Sequence, residues 1–321
     1  MTSTIFVDAA GATIGGGARF RLELYQYLAR AGREDVKLIG VDRRIDPAWL
    51  LRREAARPTQ GRRVALNNVS FVTPGGERWT RLGNALHFLT DDEAARIDPS
   101  LRAAMRRQAI VVHLAARRSH VLVTPSTAMA ERVRRVLPDL GHRVVPRLNP
   151  VSPGSIPRIP RDHAILCPVL FAPYKAMDER LTELLAAIEE CGDSSVRVRV
   201  TAHRNEMPPE LADHARIDLV GRLSLADLRD LWARSRAIYF PTGIESFGYP
   251  LAEARVSGQP VIALDTAQNR EIAGPALCGF TPGSPDSLRR ATMLALTTEV
   301  APDPAPFDPD AYFGWLLGPT R

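Results

Sequence analysis

The sequence predicts an α/β protein of two domains, each built on a parallel sheet with helices on both faces. Three observations predict it. Short apolar runs rich in strand formers recur along all 321 residues with helix-length segments between them, as parallel strands joined by helical crossovers require. The alternation stops once, in Asn149-Pro-Val-Ser-Pro-Gly-Ser-Ile-Pro-Arg-Ile-Pro-Arg-Asp162, where four prolines can continue neither a helix nor an inner strand. The sign of the charge changes at the same place. Residues 1–150 carry 25 Arg and Lys against 14 Asp and Glu, a net +11, whereas residues 151–321 carry 17 against 22, a net −5.

The strand candidates of the first half are 4–7, 36–41, 64–72, 121–124 and 143–148. The first runs into Gly11 and Gly15-Gly-Gly17, and a helix is expected over 18–30. After the proline-rich linker the strand candidates are 164–170, 196–201, 217–220, 237–240 and 261–264. Helices are expected from Ala176, from a Ser224 cap, and from Pro250 to a stop at Gly258, with proline at the first helical position and glycine just past the end. Pro302-Asp-Pro-Ala-Pro-Phe-Asp-Pro309 reads as an extended strap, followed by a short helix carrying Tyr312, Phe313 and Trp315. The expected division is 1–150, 151–305 and a terminal helix in 306–321.

Composition narrows the function. Apolar residues make up 45% of the chain, a globular value, yet nothing approaches the roughly 18 consecutive apolar residues that span a bilayer. No basic segment followed by an apolar one opens the chain, so the expected location is cytoplasmic, with peripheral membrane contact as the variant that the basic half suggests. Cys167, Cys191 and Cys278 are odd in number, far apart and without metal-ligand spacing to histidine, which fits reduced thiols. A basic half suits an acidic acceptor, an anionic membrane surface or nucleic acid; scattered arginines on a solvated surface are the ordinary alternative. Aromatic residues are only 6% and do not interleave with basic ones, so the stacking platform of a single-strand nucleic-acid binder is missing.

Chemistry concentrates in Pro241-Thr-Gly-Ile-Glu-Ser-Phe-Gly-Tyr-Pro-Leu-Ala-Glu253. A buried strand ends here in a glycine turn and a helix. Gly248 lets a ligand approach the backbone, and the free N–H groups of the helix's first turn favour an anion such as phosphate. Glu245 stands in the loop at the carboxyl end of the strand, where open α/β sheets bind ligands, and Glu253 is expected in the first turn. Two acceptors flanking an anion site match a sugar nucleotide, which offers hydroxyls on both sides of a diphosphate.

Residues 237–274 resemble the donor-site signature of family 4 retaining glycosyltransferases. The resemblance rests on Phe240-Pro-Thr-Gly-Ile-Glu-Ser-Phe-Gly-Tyr-Pro-Leu-Ala-Glu-Ala254, Gly258-Gln-Pro-Val-Ile262 and Asn269-Arg-Glu-Ile-Ala-Gly274. It implies the GT-B arrangement, two Rossmann-like domains facing a cleft, and transfer of a sugar from a nucleoside diphosphate to an acceptor hydroxyl with retention at the anomeric carbon. It also implies roles. Glu245 orients the donor sugar, Glu253 holds the ribose, and Ser246, Phe247, Gly248 and Tyr249 line the donor site. Gly16 and Gly17 approach the diphosphate, Lys175 stabilises it as it leaves, and Gly221 and Arg222 contact the base; His203 is a further donor-site candidate.

The chain departs from that pattern in two places. Family members carry a phosphate-binding arginine about five residues before the lysine, and Leu170 stands there, forgoing a contact of about 1.5–3 kcal/mol. Lys175 alone, or Arg19 or Arg204, takes its place. In the first half, Asn67 and Asn68 stand where the family often has a histidine; amides orient a hydroxyl but cannot act as a base near neutral pH, so they are read as acceptor-binding. His87 and His113 have apolar surroundings that suit core residues. No cofactor and no metal are expected, because no Asp-x-Asp pair was found to carry one. The expected acceptor is a small molecule, with a lipid or polysaccharide at a membrane as the alternative. Epimerases and phosphorylases of the same architecture, and an inactive sugar-nucleotide binder, are the rival classes.

Overall fold

The computed structural model describes residues 4–13, 15–55, 61–154, 160–168 and 171–319. The chain divides into two compact units: Met1–Ser152 with Glu245–Gly248 and Ala305–Arg321, and Pro153–Ile244 with Tyr249–Pro304.

The first unit follows the order β1 (Ile5–Asp8), α1 (Gly15–Ala31), β2 (Val36–Ile39), α2 (Pro47–Ala55), β3 (Arg62–Ala65), β4 (Glu77–Arg81), α3 (Asp91–Arg96), α4 (Pro99–Ala116), β5 (Val121–Thr124), α5 (Thr127–Val136) and β6 (Val144–Pro146). Its six strands are all parallel, in the order β2-β1-β3-β4-β5-β6. The strand order reverses between β1 and β3, so the loops after these two strands leave the sheet side by side at its carboxyl edge.

Several expectations need correction here. The run 64–72 is strand only as far as Ala65, because Asn68 takes a left-handed backbone (φ 69°) that ends the extended chain. β4 escaped the pattern because Glu77-Arg-Trp-Thr-Arg81 alternates charge with little apolar content. It is nevertheless internal, and its Arg81 guanidinium lies 4.3 Å from the Phe20 ring centroid. The triple glycine is not a loop: Gly15, Gly16 and Gly17 form the first turn of α1, three residues ahead of the expected start. A Cβ on Gly17 would stand 3.3 Å from the Ala12 Cα, so glycine there permits close packing of helix on loop.

The tail helix α12 (Pro309–Leu317) belongs to this unit. Phe313 and Tyr312 meet Phe20 edge-on at 5.4 and 5.6 Å, and Trp315 meets Trp79 at 4.9 Å. Arg33 and Arg62 donate to the carbonyls of Gly318 and Leu316. Arginine thus serves the interior as well as the surface: Arg33, Arg53, Arg63 and Arg81 are all buried.

The second unit holds β7 (Asp162–Cys167), α6 (Met177–Glu190), β8 (Arg197–Val200), α7 (Pro209–Ala212), β9 (Ile217–Leu219), α8 (Leu225–Arg234), β10 (Ser235–Phe240), α9 (Tyr249–Ser257), β11 (Val261–Leu264), α10 (Ala267–Ala273), β12 (Leu277–Phe280) and α11 (Pro285–Thr297). The sheet is again parallel and six-stranded, ordered β12-β11-β10-β7-β8-β9, with its reversal between β7 and β10. Buried β7, β10 and β11 read as continuous apolar runs, as strands covered on both faces do. β7 begins at Asp162 and ends at Cys167, shorter at its far end than the expected 164–170; Leu170 lies outside the described residues. β12 was not anticipated, being a short edge strand interrupted by Gly279, where a Cβ would stand 3.0 Å from Asp265.

Candidate functional site

The carboxyl edge of the second sheet is built by strand-to-helix connections, of which those after β7, β8, β9 and β10 carry the candidate residues. After β7 comes a short 3-10 turn, Pro173–Lys175, and then Ala176 in a left-handed backbone (φ 48°) immediately before α6. The Lys175 N–H donates to the Ala172 carbonyl, which fixes the turn and leaves the half-buried side chain beside the end of β7. Burial pushes the Cys167 thiol well above its usual range, and the Lys175 charge works against that shift.

After β8, His203 begins a second short turn, Arg204–Glu206. The His203 N–H donates to the Glu206 carboxylate at 2.7 Å, the first cause of a carboxyl held below its ordinary value. Arg222, which follows β9, donates to both the Thr201 carbonyl and the Glu206 carboxylate. Gly221 adopts φ +67°, and a Cβ on it would lie 3.3 Å from the His203 ring. His203, Gly221 and Arg222, far apart in sequence, therefore come together. Glu206 was not foreseen as their joint; its only sequence signal is its position three residues after His203. Arg204 is drawn to Asp213, away from this cluster.

After β10 the chain runs Pro241-Thr-Gly-Ile244, and Thr242 is buried at the strand end. Its Oγ1 has no hydrogen-bond partner among the described residues. A buried hydroxyl without a partner costs free energy. Sequence reasoning passed over Thr242, although it stands two residues past the strand. α9 opens with Tyr249 and has Pro250 second, so Glu253 is its fifth residue and lies beyond the first turn, not within it as expected. Gly248 takes φ +80°, a conformation that glycine adopts without strain.

In the first unit, Glu245–Gly248 form a fixed loop. Ser246 Oγ donates to the Gly83 carbonyl at 2.8 Å, and its own carbonyl accepts from Ser126 Oγ at 3.0 Å. Phe247 is buried and meets Phe307 edge-on at 6.2 Å. Glu245 remains half-buried on this anchored backbone.

The carboxyl edge of the first sheet has a different character. Asp8, fully buried at the end of β1, accepts from the Ala10 N–H and Trp49 Nε1 on one oxygen, and from Arg53 Nη1 (2.6 Å) and Asn67 Nδ2 (2.8 Å) on the other. Asn67 is therefore occupied in the interior, since its Oδ1 also accepts from the Val69 N–H. Asn68 Oδ1 accepts from the Gly83 N–H. Arg19 lies against Glu23, whose carboxylate also accepts from Ser152. His87 and His113 are core groups: His113 Nε2 bonds the His87 carbonyl, and burial holds both imidazoles below their ordinary pKa. Among the described residues no group of three His, Cys, Asp or Glu is placed to hold a metal. The sequence does contain one Asp-x-Asp, Asp308-Pro-Asp310, contrary to the expectation above; Asp308 caps α12 and Asp310 pairs with Arg30.

Residues 163–298 match the family model of glycosyl transferases group 1. No curated protein matches the chain. Among solved structures, the chain resembles WaaG, a glycosyltransferase involved in lipopolysaccharide biosynthesis, with TM-score 0.65, 15% identity, and coverage of 92% of this chain and 90% of that one. Anabaena Alr3699/HepE, solved with UDP and glucose, matches with TM-score 0.66, 13% identity, and coverage of 98% and 95%. A UDP-forming α,α-trehalose-phosphate synthase from Burkholderia xenovorans matches with TM-score 0.65, 11% identity, and coverage of 99% and 98%. The fold is therefore the two-domain α/β architecture of GT-B proteins. With the group 1 match over most of the second unit, it supports a glycosyltransferase.

Proposed function

We propose that this protein is a retaining, metal-independent glycosyltransferase that moves a sugar from a nucleoside diphosphate to an acceptor hydroxyl. The observation that carries the proposal is the switch point of the second sheet. There the Lys175 turn after β7 neighbours the strand–glycine–helix connection after β10, inside the segment that matches group 1 glycosyltransferases. In open α/β sheets such a reversal is where ligands bind, and the N-terminus of α9 offers N–H groups to an anion.

Departure of the diphosphate is the costly event, because negative charge grows on its oxygens while the anomeric carbon becomes cationic. Lys175 and the main-chain amides from Gly248 onward meet that charge. The bond from the anomeric carbon to the diphosphate oxygen breaks, and its electron pair stays on phosphate. The acceptor oxygen bonds to the same face of the carbon, and its proton passes to the departing phosphate. Glu245 orients the donor hydroxyls, Thr242 supplies a hydroxyl at the strand end, and Glu253 holds the ribose. Gly221 lets the base approach the backbone, and the Arg222–Glu206 pair keeps His203 in place.

The acceptor is a small hydroxyl compound. An acceptor held at a membrane is a second reading, favoured by an exposed apolar face described below.

The experiment is a thermal shift with UDP, GDP and dTDP beside a DNA oligonucleotide, followed by mass spectrometry of products from a panel of sugar nucleotides. One nucleotide should stabilise the protein and DNA should not. Stabilisation by none of the three, or by DNA alone, overturns the proposal. Glu253→Ala should weaken the effective nucleotide about tenfold; an unchanged shift removes the ribose role.

A further inference from the structure

The outer face of α2 and α4 in the first unit leaves large apolar side chains in water. Leu51 is 75% exposed, Leu114 63% and Ile110 60%, with Val111 and Val72 also exposed. Scattered apolar residues on a surface are ordinary, but these are contiguous. Leu51, Val72, Val111 and Leu114 line one depression of about 760 Å³ between the two helices. Within α4, Arg107, Ile110, Val111 and Leu114 recur at three- and four-residue spacing, so they share one stripe. A contiguous apolar patch with a polar rim marks a docking surface.

The charge around the patch selects the occupant. Arg52 on α2, Arg106 and Arg107 on α4, and Arg118 just past its end are exposed around it, while Arg117 is paired with Asp139. α4 carries no Asp or Glu in its 18 residues. The carboxylate of Glu54 on α2, which also lines the depression, is buried and held by the N–H groups of Val72 and Thr73. A second copy docked face to face would set arginine against arginine in a desolvated contact. An anionic lipid surface does the opposite: apolar side chains enter the acyl boundary, while long arginine stems reach the phosphate headgroups.

We propose that the α2–α4 face is a peripheral membrane-binding surface for anionic phospholipid bilayers. It holds the protein at the interface without crossing it; among the described residues no helix is long and apolar enough to span. The proposal does not depend on the sugar donor or on activity.

The test is co-sedimentation of the full chain with vesicles of phosphatidylcholine alone, or mixed with phosphatidylglycerol, at low and high salt. Binding is expected to the anionic vesicles only and to fall with salt. Ile110→Ser with Leu114→Ser removes the insertion and should weaken partitioning at least about tenfold. Arg106→Gln with Arg107→Gln should weaken it about tenfold or more and flatten the salt dependence. Leu51→Ser, on the other helix, should act in the same direction and keeps the test decisive if an α4 variant fails to fold, as judged by circular dichroism. Absence of wild-type binding, equal binding to both vesicles, or binding unaltered by these substitutions overturns the proposal. So does a concentration-dependent dimer that Leu114→Ser abolishes while no vesicle is bound.

Discussion

The carboxyl edges of the two sheets use their polar groups differently. Both arise from the same topology: a reversal of strand order puts two adjacent strand ends side by side, β1 and β3 in one unit and β7 and β10 in the other. At the first, Asp8 accepts four hydrogen bonds, one of them from Arg53, which in turn donates to the Ser70 carbonyl. Both carboxylate oxygens of Asp8 are thus occupied. At the second, Thr242 keeps a buried hydroxyl with no partner among the described residues, and Lys175 stands half-buried after β7. If the proposed function holds, the same architecture spends one strand end on holding loops in place and the other on a ligand.

The largest expected effect breaks the edge of the first sheet. Asp8→Ala leaves the Arg53 guanidinium buried without its carboxylate and should cost about 3–5 kcal/mol in urea unfolding. A loss below about 1 kcal/mol would mean that Asp8 is not the joint of that edge. At Glu245 the balance reverses. Glu245→Gln should slow sugar transfer about a hundredfold, while stability, measured the same way, changes by less than about 0.5 kcal/mol.

Thr242→Val sharpens the contrast further. Replacing an unpartnered buried hydroxyl with a methyl should raise stability by about 1 kcal/mol and weaken sugar-nucleotide binding in a titration. If stability falls instead, the hydroxyl has a partner in the fold. The smallest effect is a pH slope from the core imidazoles. Burial lowers the pKa of His87 from 6.5, so the unfolded chain takes up that proton first as pH falls. The contribution is full above the unfolded value and declines below it, so the urea midpoint should drop as the pH falls below about 6.5. His87→Gln should flatten this slope.

Much of this was legible in residues. Ten of the strands announce themselves as apolar runs, because a strand covered on both faces needs apolar side chains whatever its partners are. The 237–258 segment is equally local, since proline, glycine and helix caps act through the nearest backbone. The two strands that escaped, β4 and β12, were hidden because arginine and glycine there are accommodated by distant groups, Phe20 for Arg81 and Asp265 for Gly279. Asn67 shows the same limit from the functional side. Its amide suited a ligand on paper, yet Asp8, 59 residues away, claims it.

By itself the sequence determined the fold class and the strand–glycine–helix segment after β10, because each depends on side-chain character repeated or clustered within a few residues. Only the tertiary structure decided which polar groups are already satisfied, which arginines are interior and which rim an apolar face, and that His203, Gly221 and Arg222 share one corner. Those outcomes depend on contacts between residues far apart in the chain, and no local pattern encodes the distance at which a donor finds its acceptor.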